Sequence, residues 1–101
     1  MAKIVVLFNL KPGVSVADYE KFARETDLPV VNGLASINKF EVLKSTGLLR
    51  GGAAPYQYIE IIDVEDLGQL GRDVATEQMQ KVASTFRSLA DNPQFIVTEQ
   101  L

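Results

Sequence analysis

The chain contains no cysteine and no histidine. Without thiols neither a disulfide framework nor a thiolate metal site can form, and the redox compartment is left open. The missing imidazole excludes more, because serine-type triads, the commonest general base near neutrality and the usual zinc sites all depend on it. Long apolar runs are also missing. The longest, IVVLF at 4–8, is far short of the roughly 20 residues that span a bilayer. No signal-peptide cleavage pattern follows it, so the expectation is a cytoplasmic protein with no membrane partner. Positive charge is not in excess: the formal net charge is −3 with both signs interspersed. That provides no concentrated field for a phosphate backbone, so no nucleic acid partner is expected. Gly51-Gly52 lacks the lysine and hydroxyl residue of a phosphate loop, and no acidic cluster has the spacing of a calcium loop. Neither metal nor cofactor is expected.

What is present is ordinary for a globular protein. The 101 residues are 47% apolar and 23% charged, which disfavours disorder. A domain usually takes roughly 100 to 150 residues, so a single domain over 1–101 is expected. Residues 3–10 (KIVVLFNL) are β-branched and apolar and stop at Pro12-Gly13, which reads as a strand. Ile4, Val6 and Phe8 point to one face and Val5 and Leu7 to the other, so both faces need cover. Ser15 opens a helix with Asp18 three residues on, in the manner of a capping box. Val16, Tyr19, Phe22 or Ala23, and Thr26 form its apolar stripe, and Tyr19 and Phe22 read as core. Pro29 and Gly33 are expected to close it through an irregular last turn.

Residues 37–45 read as a second strand, 47–55 (GLLRGGAAP) as a flexible connection, and 56–64 (YQYIEIIDV) as a third strand. Asp63 is a candidate cap for the next helical segment, whose glycines at 68 and 71 suggest a broken first turn before a longer helix over 74–90. Met79, Val82, Phe86 and Leu89 make its buried stripe. Asn92-Pro93 ends it, and 95–101 (FIVTEQL) supplies a last strand. Strand, helix, strand, strand, helix, strand is the split pattern of an α+β, ferredoxin-like βαββαβ sandwich. Right-handed crossovers put the helices on one face and the first and third strands at the centre. The other face then presents several hundred Å² of apolar surface, and a homodimer packed sheet against sheet is the expected cover.

Four segments carry a family resemblance: FNLKPG at 8–13, TGLL at 46–49, ATEQM at 75–79 and ADNPQFIVTEQ at 90–100. In this order and spacing they resemble the REDY-like proteins of the HapK family over nearly the whole chain. The resemblance implies a dimeric α/β barrel and an association with prodiginine-type pigment pathways, where an accessory role in making a bipyrrole intermediate is implied. The architecture is also similar, at the level of fold alone, to cofactor-free monooxygenases and muconolactone-isomerase-like proteins. Many of those carry a histidine shortly before a proline at the end of the first helix. Here the segment reads Glu25-Thr26-Asp27-Leu28-Pro29, and Asp27 takes the histidine's place, a carboxylate able to act as a base if burial raises its pKa.

Glu60 is the sharpest chemical signal. A carboxylate between apolar neighbours on a central strand must be neutralised, paired or hydrogen-bonded. Tyr56, Tyr58 and Glu60 share one strand face with Ile62 and are expected to project together into the space between sheets. Asn9, at the end of the first strand, lies near the tyrosines and is a candidate to orient a carbonyl, or else bonds a neighbouring turn. Asp27 is expected at the opposite end, near Ile62 and Asp63. Arg50, among glycines, meets an anionic ligand, a partner subunit or solvent. The reading is therefore a binding protein for an aromatic or pyrrolic metabolite, with Glu60 and Asp27 as acid or base and Asn9, Tyr56, Tyr58 and Arg50 as ligand contacts. It acts either as a cofactor-free catalyst of proton transfer or oxidation, or as a non-catalytic carrier that docks with a biosynthetic enzyme.

Overall fold

The computed structural model describes residues 2–101. Strand β1 (Ala2–Leu10) leads into helix α1 (Val16–Phe22), a π-helical turn (Ala23–Asp27) and α2 (Leu28–Asn32). Strands β2 (Ile37–Lys44) and β3 (Tyr58–Val64), helices α3 (Leu67–Asp73) and α4 (Glu77–Leu89), and strand β4 (Ala90–Glu99) follow. The sheet order is β2-β3-β1-β4 with antiparallel neighbours throughout, so β1 and β3 are central as the crossover rule requires.

Register decides what each side chain meets. Ile4 lies opposite Ile62, Val6 opposite Glu60 and Phe8 opposite Tyr58, and Phe40 and Val42 of β2 continue these rows. This face is the one the helices cover, with Tyr19, Ala23 and Phe86 over one end and Val31 and Met79 over the other. Phe8 is fully buried. Its ring centroid lies 5.0 Å from Phe86, 5.5 Å from Tyr19 and 5.6 Å from Tyr58, within the range where aromatic pairs gain beyond simple burial. Val5, Leu7, Ile59 and Ile61 occupy the other face, which no helix covers.

Several expectations are corrected. Tyr58, Glu60 and Ile62 do share a face, but it lies under the helices and not between two sheets, because Val6 and Phe8 opposite them carry the core. Tyr56 stands outside β3. The Asn9 amide takes the Gln57 N–H (2.9 Å) and donates to the Pro55 carbonyl (3.2 Å), and Leu10 N–H donates to Gln57 Oε1 (2.7 Å), so side chains replace the ladder there. The long helix begins at Glu77, not 74, because Thr76 Oγ1 accepts from Met79 N–H. The glycine-bearing segment is a helix of its own, α3, capped by Asp66, while Asp63 stays in β3 and accepts from Asn38. Strand β4 starts at Ala90, not 95, since Asn92 (φ 44°) and Pro93 together oppose Phe8 as a bulge between the Leu7–Gln94 and Asn9–Asp91 pairs. An edge strand tolerates that proline.

Truncating the aromatic centre tests the packing. Phe8→Ala is expected to lower unfolding free energy by about 3–5 kcal/mol, read from urea titration. Lys81→Ala, at an exposed pair with Glu77, is expected to change it by less than about 0.5 kcal/mol.

Candidate functional site

A helix cannot pass through a proline without losing a hydrogen bond and displacing the carbonyl four residues back. At Pro29 the chain resolves this by widening one turn: Leu28 N–H bonds to Ala23 O, five residues away. The run therefore continues through this irregular turn to Asn32, and Gly33 closes it. The extra residue in that turn carries Asp27 inward, and it is only 5% exposed. Such π-helical turns are frequent at functional sites.

Glu60 reaches the same place from the sheet, held by β3 between Val6 of β1 and Val42 of β2 and 4% exposed. The two carboxyl groups line one cavity of about 230 Å³ between sheet and helices. Ile4, Val31, Phe40, Ile62, Val82 and Phe86 are among its walls, and Asp27 and Glu60 are the only polar residues lining it among the described residues. Burial pushes the Glu60 carboxyl from its ordinary 4.5 up to about 8, with the nearby Asp27 charge adding to the effect. Burial alone lifts Asp27 from 3.8 to about 6. Tyr19 is fully buried beside them, its phenol raised first by burial and then by the charges of Glu60 and Asp27. Glu60 Oε2 and the Tyr19 hydroxyl have no hydrogen-bond partner among the described residues, which is uncommon for buried polar atoms. Near neutrality the pair holds one proton acceptor, Asp27, and one donor, Glu60, as general acid–base work requires.

The other expected site residues lie elsewhere. The Asn9 side chain is occupied by the backbone at Pro55 and Gln57. Tyr58 is stacked on Phe8 and donates to Glu20 Oε2 (2.8 Å), which also receives Lys44 Nζ at 2.9 Å. These bonds from Lys44 and Tyr58 hold Glu20 below its ordinary range. Tyr56 lines a shallow depression with Leu43, Leu48 and Ile59 at the end of the uncovered face, and Arg50 is exposed in the loop. Met79, Val82 and Phe86, core residues by their spacing and in the structure, also line the cavity. The signal available was that they form the buried stripe of α4. No group of acidic side chains able to hold a metal occurs among the described residues.

This sheet, with its helices on one face, is α+β and ferredoxin-like. The chain belongs to the HapK family of REDY-like proteins, whose model matches residues 2–101. HapK from Hahella chejuensis has a similar structure, at TM-score 0.78 and 24% identity over 100% of this chain and 93% of that one. SnoaB from Streptomyces nogalater, a cofactor-independent oxygenase, aligns at TM-score 0.78 and 14% identity over 99% and 92% of the two chains. A dimeric protein of unknown function with a ferredoxin-like fold from Bacteroides fragilis aligns at 0.66 and 14% over 98% and 95%. No curated protein matches the chain.

The carboxyl pair has a measurable signature. Both groups have folded-state pKa values above the ordinary ones, so the folded chain binds more protons than the unfolded chain between about pH 4 and 8. Stability is therefore highest at the acid end of that window and falls as pH rises through 6 and 8. Thermal midpoints are expected to decline between pH 5 and 8. Glu60→Gln is expected to flatten most of that decline and to exceed the parent at pH 8 by on the order of a few kcal/mol. Parallel curves for the two proteins would show that Glu60 is not a buried acid.

Proposed function

We propose that the chain is a small-molecule-binding protein of secondary metabolism in which Glu60 and Asp27 exchange protons with an aromatic or pyrrolic intermediate held between sheet and helices. The observation that carries this reading is the placement of two buried carboxyls as the sole polar groups in an apolar cavity. Ligand pockets commonly combine apolar walls with a few placed polar groups. At about 230 Å³ the cavity falls below the roughly 300–1,000 Å³ of sites for drug-sized ligands, which suits one or two fused or linked rings. In the proposed step the Asp27 carboxylate takes a proton from one ring position and the Glu60 carboxylic acid returns one to another. The ligand is isomerised without net oxidation, and a proton passing between the two side chains resets them. Family membership and the oxygenase-type neighbour support a place in secondary metabolism. A prodiginine-type pathway is the specific form proposed, on the family resemblance. The lack of histidine and cysteine favours the second reading, a carrier that shelters an intermediate and docks with a biosynthetic enzyme.

Turnover of a pyrrole and aromatic library separates the two. A wild-type protein that turns over a library member is expected to lose about 10² to 10⁴ in kcat on Glu60→Gln while still binding it. Binding by the wild type with no turnover of any member favours the carrier.

The working form proposed is a homodimer. Val5, Leu7, Ile59 and Ile61 make a half-buried apolar face on the central strands, and Tyr56 and Leu48 adjoin it at Ile59. A second copy burying on the order of 800 Å² per partner would cover it. Sedimentation at micromolar concentration is expected to give a dimer, and Ile61→Glu a monomer. A wild-type monomer stable at that concentration removes this part of the proposal.

A further inference from the structure

The cavity's polar chemistry is one-sided. Its two polar lining residues are both acids, and no lysine or arginine lines it. Arg24 and Lys44 line a separate recess of about 110 Å³ with Tyr19 and Tyr58, and both are already paired with Glu20, at 3.2 and 2.9 Å. Their charge is spent outside the cavity. The two carboxyl groups bring four oxygens to the cavity and, with Glu60 in its acid form, one O–H. Acceptors are thus in surplus, and Glu60 Oε2 has no partner among the described residues. A buried polar oxygen left unpaired costs its full desolvation, on the order of 1–3 kcal/mol, and the Asp27 carboxylate beside it only accepts, so a ligand that supplies a donor there gains what an isostere without one forfeits.

Resting on the binding reading above, we infer that the cavity selects ligands that bring an N–H or protonated nitrogen to Glu60 and Asp27, and that it excludes ligands bearing a carboxylate or phosphate. An anion would enter a low-dielectric space with no counter-charge and with the Asp27 carboxylate in its wall, which is doubly unfavourable. A donor nitrogen meets the surplus oxygens directly, and if cationic it balances the negative charge of the pair. The apolar walls set the ring size and the carboxyl pair sets the identity of the ring atom, because a missing donor is rejected more sharply than a missing methylene.

Three bicyclic rings of one shape isolate the effect: indole carries N–H, benzofuran an ether oxygen and indene a methylene. Calorimetric titration of the full chain at pH 7 is expected to find indole binding roughly tenfold more tightly than the other two. Indole-2-carboxylate is expected to bind at least roughly tenfold more weakly than indole. In Glu60→Leu the three neutral rings are expected to bind within roughly twofold of one another. Asp27→Asn, which keeps shape and removes charge, is expected to relax the rejection of the carboxylate and serves if Glu60→Leu does not fold. Equal affinity for indole and indene in the parent protein, or a preference for indole that survives in Glu60→Leu, overturns this inference and leaves the binding reading standing. Absence of binding by all four compounds overturns both.

Discussion

The structure depends on how a carboxyl group is accommodated in a hydrophobic row. Glu60 lies on a central strand between Val6 and Val42, beneath helices, where water does not compensate its charge. The least costly state for such a group is the protonated acid, and its pKa moves up to about 8. A second acid, Asp27, is brought to the same cavity by a helical turn that Pro29 distorts. Neither feature is what a sequence optimised only for packing would contain, and departures of this kind gather at functional sites.

The aromatic cluster supplies the rigidity that such a site needs. Phe8, Tyr19, Tyr58 and Phe86 interlock at one end of the core, and Tyr58 is tied through Glu20 to Lys44 on β2. Glu60 is two residues along β3 from Tyr58, so its position follows from a strand clamped at that end. At the other end the walls come from Leu70 and Val74, near an α3 that buries no side chain of its own. Its attachment runs mainly through Asp73, whose carboxylate accepts from Ser36 N–H and from Gln69. The cavity thus has one firm side and one lightly held side.

Much of this was legible in the residues. The alternation of Ile4, Val6 and Phe8 against Val5 and Leu7, the Ser15 cap and the α4 stripe follow from short-range rules and hold in the structure. Glu60 stood out because a charge within an apolar alternation is conspicuous whatever the fold. Asn9, Tyr56 and Arg50 also read as candidate ligand contacts, and none of them lines the cavity. Their surroundings depend on how the loop before β3 is bonded to the end of β1, through Gln57 and Pro55, about 46 to 48 residues away in the chain. The start of β4 was misplaced for a related reason, since a proline reads as a stop until its place on an edge strand is known.

The sequence by itself determined the order of the elements, the two-sided apolar character of the central strands and the family. These properties are written in spacings of a few residues and in motifs of local chemistry. Tertiary structure alone decided that the helices cover the Glu60 face, that Asp27 shares its cavity, and that a space remains between them. Each of these results from surfaces meeting across dozens of residues, and a cavity is what packing leaves unfilled, so it has no local pattern from which to be read.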